Sequence, residues 1–410
     1  MAPKGLGKRL IFFCRAGIDN RPPPVQSFEI PLNGKKIRMR LFFIFFLIAC
    51  FSAARANDGS FYATGNTLIP LKETTIQLKK EILSLERRGD WMQVDIYFEF
   101  FNPGPEKELT VGFVTPPAEG DVTEEETGHP QVKDFMVMAG EQLLSYKIAK
   151  MENSGFKVSE KTANGFDFVY YFTVRFAKGI TVIRHSYLYR GGGSVEASAD
   201  FDYRLTTGTT WAGGSIGDFE LNITMGDDSY FAIPASFNNS PAAWTMVGIG
   251  RIGAINNFNP YGDGDGGKNL RMAFIRKGKL QLRQSNFKPV RDLSLVFFQL
   301  HNEVNLWTDK KEKNDFTDLR ELLWEEYTDS IIHRLTDQQL RFYRNLNYAR
   351  AGYAFKDESL TKTFSKYNWY IPDPAIKPEQ APDIYIPKEI MRKIVEEEGR
   401  RKESGVNSSF

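Results

Sequence analysis

The chain has 410 residues, 41% hydrophobic and 25% charged. These values sit near the globular average and argue against a collagen, a wholly disordered chain or a polytopic membrane protein, while the length predicts two or three domains. The net charge of +2 is uneven: residues 1–56 hold ten Lys/Arg against two Asp/Glu, leaving 43 basic against 49 acidic residues, a net of −6, downstream. No basic footprint for nucleic acid remains there. With 33 Phe and 17 Tyr recurring in alternating runs, the composition leans toward pleated sheet.

The first element is a leader. Lys35, Lys36, Arg38 and Arg40 precede an unbroken apolar run from Leu41 to Phe51, followed by Ala54-Arg55-Ala56 as a small-x-small site. That order predicts a secretory signal peptide over 39–56, cleaved after Ala56, with Met39 the better initiator and residues 1–38 a non-native upstream extension. The apolar run makes only about 16 Å of helix, short of the roughly 30 Å needed to span a bilayer, so no transmembrane segment is expected after cleavage. A rival reading takes Leu47-Ile48-Ala49-Cys50 as a lipobox with Cys50 acylated. On either reading the product is exported, periplasmic or extracellular. Cys14 and Cys50 are the only cysteines, so the chain from Asn57 onward has no disulfide, thiol nucleophile or cysteine metal site.

After Asn57 the hydrophobic period is two. Val94, Ile96, Phe98 and Phe100 share one face, with Gln93, Asp95 and Glu99 on the other, as a half-buried strand requires. Asn102-Pro103-Gly104-Pro105 breaks the ladder and Leu109, Val111 and Phe113 resume it, which predicts an antiparallel hairpin. The pattern returns at Phe168, Tyr170, Phe172, Val174 and Phe176, turns at Lys178-Gly179, and runs on from Ile180 to Tyr189. Further strands are expected at Asp218–Thr224, Leu270–Ile275, Leu280–Arg283 and Leu293–Leu300. Many short strands without intervening helix signals predict an antiparallel β-sandwich domain over 57–305.

Near residue 305 the pattern becomes helical. Asn314–Asp329 carries Leu319, Leu322 and Leu323 at helical spacing. Thr336-Asp337-Gln338-Gln339 forms a capping box opening a helix through Leu340, Tyr343, Leu346 and Tyr348, with Gly352 as its terminator. Asp357 caps a shorter helix through Leu360 and Phe364. The Pro-bearing stretch from Asp373 to Pro387 reads as a linker, and Glu389–Arg401 as a charged helix or frayed tail, together a tail region over 373–410.

The ordered set Leu340-Arg341-Phe342-Tyr343-Arg344-Asn345, Tyr348-Ala349-Arg350-Ala351-Gly352, Phe355-Lys356-Asp357, Leu360, Phe364 and Trp369-Tyr370 resembles the YARHG domain, a small module of presumed extracellular bacterial proteins, here over 314–372. Ala351 stands where the family carries His, so any role of that His is lost in this copy. Asn57-Asp58-Gly59, His185-Ser186-Tyr187, Leu205-Thr206-Thr207-Gly208, Trp211 and Ile216 resemble an uncharacterised family of exported bacterial β-rich domains. That likeness implies architecture and no activity.

Gly248-Ile249-Gly250-Arg251-Ile252-Gly253 satisfies G-x-G-x-x-G, but its sequel is loop-like, whereas a pyrophosphate site needs a helix there. No cofactor is expected. Asp263 and Asp265 offer two carboxylates to Ca²⁺ without the remaining ligands of an EF loop, so a solvated turn is the better account. His129, His185, His301 and His333 are scattered without zinc spacing, and no G-x-S-x-G elbow is present. His185 reads as a packed strand side chain. In the helical module Tyr348, Arg350, Trp369 and Tyr370 are the candidate binding residues, since flat rings stack on sugars and Arg forks carboxylates. The same side chains could instead close a small core. The fold expected is mainly β plus α, a sandwich followed by a small helical C-terminal module. The function expected is non-catalytic binding or scaffolding, with a cell-wall polymer or another envelope protein as partner. The alternative is a hydrolase of envelope polymers acting through carboxylates that sequence cannot pair.

Overall fold

The computed structural model describes residues 60–404, apart from 62–64, 67, 72–73, 116–118, 121–131, 151–152, 156–167, 194–196, 255–268, 299–321, 323–327, 368, 382 and 384. Cys50, the cleavage site at Ala54 and Ala56, and the acidic pair Asp263 and Asp265 lie outside the described residues. The strands in the first half are β1 (Ser60–Phe61), β2 (Gly65–Asn66), β3 (Ile69–Pro70), β4 (Gln77–Arg88), β5 (Trp91–Asn102), β6 (Lys107–Thr115), β7 (Glu119–Gly120), β8 (Val132–Ala139), β9 (Gln142–Leu143) and β10 (Lys147–Lys150). They continue as β11 (Phe168–Phe176), β12 (Gly179–Arg190), β13 (Ala197–Arg204), β14 (Ile216–Thr224), β15 (Ser229–Pro234), β16 (Thr245–Ala254), β17 (Leu270–Phe287) and β18 (Leu293–Phe298). Among the described residues the α-helices that follow are α1 (Thr328–Arg334), α2 (Asp337–Ala351), α3 (Glu358–Phe364) and α4 (Lys388–Ser404). This is the expected β-rich body followed by a helical C-terminal region.

A twelve-stranded sheet runs β2-β13-β18-β15-β17-β14-β4-β5-β12-β8-β9, with β16 against β17. A second sheet of four runs β10-β11-β6-β3. The alternation predicted for β5 is present, with Val94, Ile96, Phe98 and Phe100 all buried. They meet Val111 and Phe113 of β6 and Tyr170, Phe172 and Val174 of β11 in one core between the sheets. Phe113 packs 4.6 Å from Tyr187 and 5.1 Å from His185, ring centre to ring centre, so aromatic edges and faces fill the gap.

The hairpin predicted between β5 and β6 is corrected by the pairing. β5 bonds to β4 and β12, whereas β6 bonds to β11 and β3. The chain leaves one sheet at Asn102 and enters the other at Lys107. The buried Asn102 amide donates to the Pro105 carbonyl at 2.8 Å and to the Phe176 carbonyl at 3.0 Å. Phe176 ends β11, where the chain crosses back to the large sheet through β12. One side chain therefore ties both crossings together, and the prolines that break the ladder release the chain to change sheets.

Two of the predicted strands, Leu270–Ile275 and Leu280–Arg283, are halves of the single long β17. Its first half pairs with β15 and its second with β14, while β16 runs along the opposite edge. The G-x-G-x-x-G run lies inside β16. Gly248 faces Gly278 of β17, both at positive φ, and a Cβ on either would strike the neighbouring strand's carbonyl. Close backbone approach explains this glycine pair without a phosphate.

Thr336 accepts from the Gln339 amide at 3.2 Å and Gln339 reaches back to the Thr336 amide at 2.9 Å, the predicted capping box of α2. Asp357 likewise caps α3 through the Ser359 and Leu360 amides. The helix expected over Asn314–Asp329 falls largely outside the described residues. The helices cover the outer face of the large sheet: Tyr230, Met272, Phe274, Val296 and Phe298 join Leu340, Tyr343, Leu346, Phe364, Trp369, Ile386 and Ile394 in a second core. Asn347 holds the stretch before α4, its amide donating to the Ile386 carbonyl at 2.7 Å and its Oδ1 accepting from the Ile386 amide at 3.0 Å.

Candidate functional site

Where the end of α2 meets β17, a cleft of about 440 Å³ opens, lined by Asp227, Asp228, Ile249, Arg276, Lys277, Arg350, Ala351, Asp373, Ile376, Gln380 and Tyr385. That volume falls within the range of small-ligand sites. Its floor is built by two buried arginines. Arg276 closes the apolar run Met272–Ile275 of β17 and turns its guanidinium toward α2, where it donates to the Ala351 carbonyl and, at 3.1 Å, to the Arg350 carbonyl. These are the last carbonyls of the helix, which have no partner within it and carry the negative end of its dipole. Asp228 completes the arrangement with an ion pair to Arg276 at 2.9 Å. It sits at φ 54°, a left-handed conformation that Asp tolerates better than most residues. Burial pulls the Arg276 guanidinium below its ordinary value, and the Asp228 carboxylate opposes that shift.

Arg350 lies one helical position before Ala351 and is 5% exposed. Its guanidinium carbon sits 4.6 Å from the ring centre of Tyr385, 5.0 Å from Trp369, 5.3 Å from Phe274 and 5.5 Å from Tyr230. Four ring faces around one cation give it a π-electron cage in place of water. It also donates to the Tyr385 hydroxyl. Two of the rings come from the sheet and two from the helical region, so this one side chain joins the layers.

The four predicted binding residues are thus distributed. Arg350 lines the cleft. Trp369 is fully buried and stacks on Tyr367 at 5.2 Å with planes 6° apart. Tyr370 is buried and donates its hydroxyl to the Tyr353 carbonyl at 3.0 Å. Tyr348 is half-buried, edge-on to Tyr353 at 6.4 Å. Ala351, the position of the family's His, faces the cleft. Sequence reasoning missed Arg276, Asp228, Lys277 and Tyr385; the one available signal was a lone arginine at the end of a buried apolar strand run.

Residues 317–388 match the model of the YARHG domain. The match begins before α1 and reaches the first residue of α4, and it contains Arg350, Ala351, Asp373, Ile376, Gln380 and Tyr385 of the cleft. The remaining lining residues come from the β body. None of the curated protein sequences matches the chain. Among solved structures, a "putative nutrient binding protein" from Legionella pneumophila is similar in fold, with a TM-score of 0.50 and 19% identity over 83% of this chain and 100% of that chain.

Elsewhere, His185 is buried among Phe113, Phe135 and Tyr187, and burial pushes its imidazole down to about 3. It is neutral at any ordinary pH, as a packed strand side chain should be. Among the described residues no cluster of His, Cys, Asp and Glu forms a metal site, and no helix is long and apolar enough to cross a membrane.

Proposed function

We propose that this chain is a non-catalytic exported binding protein that acts at the bacterial cell wall or on another envelope protein, and that the cleft between β17 and α2 holds its ligand. The leader over 39–56 carries it to the periplasm or beyond. The β body over 57–305 and the YARHG-like segment over 314–372 then act together, because each supplies one arginine to the cleft floor. That shared floor is the observation that carries the reading: a YARHG segment detached from the sheet would have no cleft. The occurrence of YARHG modules in exported bacterial proteins supports the location, and the name of the Legionella structure is consistent with binding. Candidate binding residues are Arg350 at the cleft, with Tyr348, Trp369 and Tyr370 shaping the segment behind it.

The state of the acids favours binding over hydrolysis. Asp228 is engaged by Arg276, and Asp373 accepts from the Ala375 amide at 2.8 Å. Among the described residues one carboxylate of the lining, Asp227, remains without an ion pair or hydrogen bond, whereas glycoside hydrolysis requires two in concert. The test is co-sedimentation of the purified exported protein with isolated sacculi. Ile249 lies on the exposed cleft wall, so Ile249→Glu should leave the melting temperature unchanged and reduce retention about tenfold, a loss of about 1.4 kcal/mol. Equal retention of both proteins would remove the cleft from the reading.

A further inference from the structure

A second cavity, of about 270 Å³, opens where the joint between α1 and α2 meets the last turns of α4. Its lining includes His333, Arg334, Thr336, Arg400, Arg401 and Ser404 and contains no carboxylate. The YARHG match ends at residue 388, so Arg400 and Arg401 reach the cavity from the tail beyond it. The volume is smaller than that of a pocket for a drug-sized ligand and suits a single ionic group.

The acids that hold these cations lie outside the lining. Glu397 is 3% exposed and accepts from Arg400 Nε at 2.9 Å and Nη2 at 2.7 Å and from Arg401 Nε at 2.7 Å, while His333 Nδ1 lies 2.9 Å away. These bonds, led by that of Arg400, outweigh burial and hold its carboxyl down to about 2, so it stays ionised. Arg401 is 10% exposed and fully engaged, donating onward to Asp337 at 2.8 Å and to the carbonyls of Leu335 at 2.8 Å, His333 at 3.1 Å and Ile332 at 3.4 Å. Arg400 differs. It is 61% exposed, and its Nη1 has no partner among the described residues. A wall charged with one sign focuses the field on an ion of the other.

We infer that this cavity binds a phosphate-type oxyanion, as the free ion or as the phosphate group of a larger envelope molecule, through the Arg400 Nη1 amides and the Arg334 guanidinium. Arg334 ends α1 and Arg400 belongs to α4, so the two donors reach the anion from different helices. One guanidinium fork satisfies a planar carboxylate, whereas a tetrahedral oxyanion has oxygens for both. Arg401 stays on its protein partners and contributes its charge alone. The site is distinct from the cleft between β17 and α2 and does not depend on it.

Isothermal titration of the purified exported protein with inorganic phosphate, in a phosphate-free buffer, tests it. Binding at one site should weaken about tenfold in Arg400→Gln and in Arg334→Gln. Arg392→Gln, which removes an arginine of the same helix paired with Glu396 outside the lining, should bind as the parent does. Arg400→Gln also takes a fork from Glu397; if that variant unfolds, Arg334→Gln and a phosphate-induced rise in the parent's melting temperature carry the test. No phosphate binding, unchanged binding in Arg334→Gln, or an equal loss in Arg392→Gln overturns the inference. So does acetate binding as tightly as phosphate, which would assign a carboxylate instead. Co-sedimentation with phosphatidylcholine vesicles carrying phosphatidic acid separates the sources. Retention that is lost in Arg334→Gln supports the site with a lipid headgroup as its ligand, and phosphate binding without retention supports it with a soluble phosphate.

Discussion

Glu81 is fully buried in the core between the sheets, and burial alone pushes its carboxyl up to about 8. The cause lies in β4, where the register with β5 shifts between Leu78 and Lys80. Strict alternation from the inward Leu78 would turn Lys80 inward and Glu81 outward; the bulge reverses the phase, so Glu81 shares the inward face with Leu83 and Leu85. The folded chain therefore holds the proton up to about pH 8, whereas the unfolded chain releases it near 4.5. Between those values unfolding releases a proton, so this group's contribution to stability falls as pH rises through the window and is constant above it. Glu81→Gln should leave stability nearly unchanged below pH 4.5 and raise it progressively above, by on the order of 3 kcal/mol at pH 7 if the whole shift is expressed. Urea denaturation of both proteins from pH 4 to 8.5 measures this, and parallel curves would refute it.

At the level of the element, α2 is specified at both ends by short-range chemistry. Its capping box satisfies two of the first amides, and Gly352 adopts φ 86° while its amide bonds the Ala349 carbonyl at 2.9 Å. Gly352 also has a second duty. A Cβ there would lie 2.5 Å from Arg276 Nη2, so the missing side chain is what lets the guanidinium reach the helix end. Gly352→Ala should lower stability by more than the roughly 1 kcal/mol expected of the left-handed conformation alone, because Arg276 must also move. Gly352→Asn separates the two effects: Asn tolerates the backbone angle and keeps the clash. Chemical denaturation should show both variants destabilised, and a fully stable Gly352→Asn would mean that the backbone angle is the whole cost.

At the level of the molecule, the large sheet has two working faces. One packs on the four-stranded sheet; the other exposes Tyr230, Met272, Phe274, Val296 and Phe298 to the helices. A chain ending after Phe298 would carry that apolar face uncovered, and exposed patches of this kind drive association. Such a truncation should bind a hydrophobic dye and aggregate, read by fluorescence and light scattering, whereas a monodisperse truncated body would show that the helices are dispensable for the sheet. In β12 the inward face is that of Ile183, His185, Tyr187 and Tyr189, so the pattern expected from Ile180 and Val182 begins on the outer face. Alternation in β5 and β11 and the caps of α2 and α3 were legible in the sequence, as was the motif around Arg350. The assignment of β5 and β6 to different sheets was not, and neither were the merging of two predicted strands into β17 and the cleft.

The division has a physical origin. Side-chain period and capping depend on neighbours a few residues away, so the sequence by itself determined a β-rich body, the helix ends and the YARHG resemblance. Which strand pairs with which, and whether Arg276 reaches a helix carbonyl 74 residues further along the chain, depends on contacts that no local pattern encodes. The cleft is made wholly of such contacts, so only the tertiary structure could bring its two arginines together.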